Sequence, residues 1–202
     1  MTLRIGKLSV ELSYPLVAIM TAVIILDRSM SVIVCFAAAI MHESGHIIAL
    51  RRCGAMPERV KLTLFDIAII DQKKYTRSYG QELVVVLAGV TVNFAMALLF
   101  LIFYRITEVE TLMLLCSANL GLGIFNSLPV DSLDGGQALL IILCRFLSPR
   151  TASIVLDVIS FIILIPAACI GFFVLLNSQY NFTLLITALY LIALILLKHK
   201  KG

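Results

Sequence analysis

Residues 42–46 read His-Glu-Ser-Gly-His. Two histidines four apart project from one face of a helix and can share a single metal ion. Glu43 sits beside the first and can act as general base toward a water that the metal acidifies. Zinc suits two neutral imidazoles plus a carboxylate, with a fourth position left for water. The motif lies inside an apolar run, where three ionisable groups in one turn are costly and mark function by default. The reading without chemistry is a His-Glu cluster that glues helices together.

One protein ligand is still to be found. Asn126-Ser-Leu-Pro129 is followed by Leu133-Asp134-Gly135-Gly136, and Asp134 is the candidate. Pro129 stops a helix and the two glycines permit a tight turn. Irregular backbone at membrane depth is tolerated where it is buried in protein or lines a wet cavity, which a hydrolytic site needs. Two alternatives stand beside this one. Asp134 would cap a helix over 135–147, or Asp131 would be the carboxylate ligand.

The elements that carry these motifs follow from composition. The 202 residues are 61% hydrophobic and 14% charged, which departs from an ordinary soluble domain in both directions. The expected fold class is an all-α polytopic membrane protein, a single domain over 1–202, with about six transmembrane helices. The spans are expected near 12–26, 31–50, 83–104, 112–130, 154–176 and 182–197, the fourth of them broken. Between the second and third, Val60–Phe65 alternates apolar and polar and Asp66–Asp71 follows, which predicts a short membrane-associated β-hairpin. Such a hairpin either covers helix ends or offers an edge strand to an extended substrate. His42 falls about 18 Å into its span and Asn126 about 21 Å into its own, both measured from the same side at 1.5 Å per residue.

Arg28 and Arg105 lie in loops on one side, and the other fourteen basic residues fall on the opposite side, which the positive-inside rule assigns to the cytoplasm with both termini. The pI near 8.9 therefore reports topology and contact with the lipid bilayer, not nucleic acid. Three histidines are too few for a membrane di-iron site, and five scattered cysteines without a CxxC read as reduced packing residues.

An HExxH in the second of six spans, with N-x-x-P-x-x-x-L-D-G in the fourth, resembles the site-2 proteases, the membrane-embedded zinc metalloproteases of regulated intramembrane proteolysis. The layout is most similar to the bacterial branch that includes stage IV sporulation protein FB. The resemblance implies one Zn2+ per chain on His42, His46 and Asp134, Glu43 as general base, and Asn126 holding the substrate or the oxyanion. It also implies a substrate-facing Asn93, from Ala88-Gly89…Asn93 in the third span, with plain interhelical hydrogen bonding as the alternative. Phe65 would contact substrate ahead of the membrane-associated strand. The implied partner is a membrane-spanning or membrane-tethered protein such as an anti-sigma or pro-sigma factor, cleaved near the cytoplasmic face of a bacterial cell or forespore membrane. Membrane-protein regulators are compatible with it.

Val90, Asp66 and Ser132 depart from the family's usual Pro, Gly and Pro. No segment reads as a PDZ or CBS domain, so nucleotide sensing within the chain is not expected. The rival readings are an inactive metal-binding scaffold of the same fold and a small transporter, the latter disfavoured by the lack of repeated halves.

Overall fold

The computed structural model of the chain describes residues 2–5, 8–12, 14, 21, 30–54, 59–62, 67–70, 77–178 and 183–199. Most of the expected first span and Phe65 lie outside these residues. Among them are six helices: α1 Ser31–Arg52, α2 Tyr79–Thr107, α3 Glu110–Asn126, α4 Asp134–Leu143, α5 Pro149–Ser178 and α6 Thr183–His199. Three are long and apolar enough to cross a membrane, namely α1, α2 and α5 through Asn177. Large apolar side chains such as Leu98, Ile162 and Phe173 face outward, as they do where lipid is the solvent.

The chain divides into two compact units, Met1–Ile124 and Phe125–Gly202. In the first, α2 begins earlier than its apolar run. Ser78 Oγ accepts from the Gln81 N–H at 3.3 Å and Gln81 Oε1 accepts from the Ser78 N–H at 3.1 Å, a capping box that satisfies two otherwise orphaned donors. Glu82 in the same first turn pairs with Arg77 at 2.6 Å. Helix α1 packs on α2. Their approach is close because Gly45 has no side chain: a Cβ there would stand 2.6 Å from the Ala88 carbonyl oxygen. Ala49, Leu50 and Val85 fill the rest of the contact.

The first unit also holds a four-stranded sheet in the order β1 Thr2–Ile5, β2 Leu8–Leu12, β3 Arg59–Leu62, β4 Ile67–Ile70. β3 and β4 are antiparallel, Arg59 opposite Ile70 and Leu62 opposite Ile67. β2 pairs with β3 in parallel, Ser9 opposite Arg59. The sequence reading anticipated neither N-terminal strand and began a span at Leu12, which instead ends β2. With β3 covered on both sides, β1 and β4 are the sheet's edges among the described residues.

In the second unit α5 packs on α6 and on α4. Gly171 faces the Leu185 backbone, where a Cβ would come within 2.7 Å of the Leu185 nitrogen. Val130 and Leu133, from the loop before α4, join Leu164, Leu191 and Ile195 in one core. Pro166 lies inside α5 without ending it.

Candidate metal centre

Helix α1 carries His42 and His46 one turn apart, and both are buried. Their rings stand edge to face, with centroids 4.8 Å apart and planes at 77°. The two Nε2 atoms face each other at 3.1 Å. His46 Nδ1 lies 2.8 Å from the Val85 carbonyl oxygen of α2. A carbonyl only accepts, so Nδ1 carries the hydrogen and, in the neutral ring, Nε2 presents its lone pair. A backbone carbonyl that fixes the tautomer in this way is the usual support of a metal-binding imidazole. Two nitrogens held by one tetrahedral ion at about 2.0–2.1 Å would stand about 3.3 Å apart. The observed pair is close to that spacing, so these residues fit zinc.

Gly89 makes room for the pair. A Cβ at this position would come within 2.7 Å of His42 Cε1 and Nε2, and closer still to His46 Nε2. The Gly89 noted in the sequence thus has a steric task beside the two imidazoles. Val85, one turn earlier on α2, was not singled out. Its carbonyl is a backbone group, so no residue type marks it. The small pair Ala88-Gly89 opposite Gly45 was the available signal.

Asn93, one turn beyond Gly89, is fully buried, and neither its Oδ1 nor its Nδ2 makes a hydrogen bond in the structure. Its Cβ lies against Gly123 of α3, where an added Cβ would be 3.3 Å away. The interhelical hydrogen bond considered for Asn93 is therefore not what is seen. Glu43 and Asn126 are half-buried.

In the second unit, α3 stops at Asn126 and α4 starts on Asp134 itself, so the span expected over 112–130 breaks four residues early. The N-cap of α4 is Leu133, with no side-chain cap, and the capping role considered for Asp134 is corrected accordingly. The glycines after Asp134 let the preceding loop wrap the helix start. A Cβ on Gly135 would overlap the Ser127 carbonyl, and one on Gly136 the Val130 carbonyl. Asp131 is buried, with its backbone N–H bonded to Ser160 Oγ and its carbonyl to Gln137 Nε2. Within the second unit, Asp134 is half-buried at the head of α4.

No protein-family model and no curated protein sequence matches the chain. Solved structures do. The chain is similar to "Site-2 Protease from Methanocaldococcus jannaschii", with 21% identity over 95% of this chain and 91% of that chain, at a TM-score of 0.65. The chain has the fold of a site-2 protease. Three of its helices are long and apolar enough to cross a membrane.

Proposed function

We propose that the chain is an intramembrane zinc metalloprotease of the site-2 class, cleaving a transmembrane or membrane-tethered protein near the cytoplasmic face. The observation that carries the reading is the buried imidazole pair of α1, with its facing nitrogens at 3.1 Å and one ring fixed by a backbone carbonyl. A site-2 protease fold over 95% of the chain supports it.

His42, His46 and Asp134 would hold one zinc ion. When bound, zinc supplies Lewis acidity to the scissile carbonyl and brings the pKa of a water toward 7. Glu43, one residue from His42 and one turn from His46, takes the proton of the attacking water and passes it to the leaving amine. The Asn126 side chain donates a hydrogen bond to the oxygen on which charge develops. Asn93, with its buried amide atoms unbonded, offers a donor and an acceptor to an extended substrate backbone. Helical peptide bonds are shielded by their own hydrogen bonds, so the substrate must extend before it is cut. The β4 edge can pair with such a segment, and Phe65 in the connection before β4 would touch it.

The basic residues between α1 and α2 support a topology with both termini in the cytoplasm. The substrate class is an anti-sigma or pro-sigma factor in a bacterial membrane, the second matching the sporulation branch.

The experiment is zinc per chain by elemental analysis, for wild type, His46→Ala and Asp134→Ala, followed by cleavage of a coexpressed tagged membrane substrate. One zinc in wild type, lost in both variants, with cleavage by wild type, is the expected result. A zinc-free, well-folded wild type would overturn the reading. Full zinc without cleavage of any substrate tried would favour the metal-binding scaffold.

A further inference from the structure

We propose that Ser160 of α5 and Gln137 of α4 form a clamp on the Asp131 peptide that sets the position of Asp134, which makes both of them positioning residues for the metal centre. The inference rests on Asp134 being a ligand.

Asp131 is held at both of its peptide groups. Its N–H donates to Ser160 Oγ at 3.0 Å, in a buried bond spanning 29 residues. Its carbonyl accepts from Gln137 Nε2 at 2.6 Å. The Ser160 hydroxyl gives its own hydrogen to the Leu156 carbonyl at 2.8 Å, which leaves Oγ an acceptor toward Asp131. Ser160 is fully buried, at 0% accessibility, on the inward stripe of α5 with Ala152, Leu156, Asp157 and Leu164.

Little freedom remains between the clamp and Asp134. The Leu133 N–H bonds the Val130 carbonyl at 2.8 Å, and the Gln137 N–H bonds the Leu133 carbonyl at 3.0 Å. Gly136 sits so close below that an added Cβ would be 2.9 Å from the Asp131 nitrogen. Asp134 is therefore the first residue of a helix whose start is tied to α5 through one peptide. Deleting the Ser160 oxygen would strand a buried N–H, and the loop would move to find another acceptor. Polar groups that support a metal ligand from behind are commonly worth about 10–100-fold in metal affinity.

The test measures zinc affinity by chelator competition, and amide hydrogen exchange over 128–137 in zinc-free protein in detergent. Ser160→Ala and Gln137→Leu should each weaken zinc binding by about 10–100-fold and speed exchange through that segment. Ser160→Thr keeps the hydroxyl and should restore affinity. Thr187→Val deletes a hydroxyl that bonds only its own helix, to the Thr183 carbonyl at 2.8 Å, and should change neither readout. Should Ser160→Ala fail to fold, Gln137→Leu decides, since Gln137 is half-buried and its loss leaves no buried donor behind. Wild-type affinity in Ser160→Ala and Gln137→Leu, with zinc lost from Asp134→Ala, overturns the clamp alone. Faster exchange at unchanged affinity overturns it equally, because the loop would then be stabilised without the ligand being placed. Wild-type affinity in Asp134→Ala overturns the assignment of the ligand and the clamp with it.

Discussion

Glu43 follows His42 in sequence and Gly89 lies against both imidazoles, so substitutions at the two can separate metal binding from hydrolysis. Glu43→Gln keeps the size of the side chain and removes the base. It should retain zinc by elemental analysis and lose about 10²–10⁴-fold in cleavage rate; an active Glu43→Gln enzyme would sink the mechanism. Gly89→Ala pushes a methyl against His42 and His46. It should lower zinc affinity about tenfold or more, measured by chelator competition, while α1 and α2 remain helical by circular dichroism. The pairing of His42 with His46 on one face of α1 was legible in the sequence because their spacing matches one helical turn. The break ahead of Asp134 was legible through Pro129 and the glycines that follow it. The Val85 carbonyl was not, since a backbone acceptor has no residue type. Ser160 looked like any hydroxyl in a spanning helix, because the peptide it holds is 29 residues away.

Helices were easier to read than their ends. Apolar runs located α1, α2 and α5, but the capping box at Ser78 and Gln81 lies outside the run it starts, so α2 is four residues longer at that end than hydropathy indicates. The N-terminal strands were harder. Leu8, Val10 and Leu12 alternate with Ser9 and Glu11, which is a strand signal. It merges into the apolar run that follows, and its partner β3 is some fifty residues distant. Pairing of that kind is set by tertiary context, not by local pattern. The break before α4 was anticipated from Pro129, although the helix ends at Asn126 and resumes on Asp134. The seat of α4 can be probed directly. Gly136→Ala forces a methyl onto the Val130 carbonyl and should cost about 1–3 kcal/mol by overpacking, read as a lower midpoint in thermal unfolding in detergent.

At the scale of the whole molecule, 61% hydrophobic residues and few charges indicated a membrane protein before any motif was considered. A metal that binds only the folded state stabilises it by mass action. With free zinc at 100 times the dissociation constant, the protein should gain about 2.7 kcal/mol over the chelator-treated form, a gain that Asp134→Ala should lack in the same unfolding experiment. The parallel pairing of β2 with β3 bears on sidedness. Ser9 of β2 and Arg59 of β3 are direct partners in one sheet and so lie on one side. Ser9→Cys and Arg59→Cys should consequently react with a membrane-impermeant maleimide from the same compartment, in intact cells and in inverted vesicles alike, whichever compartment that is.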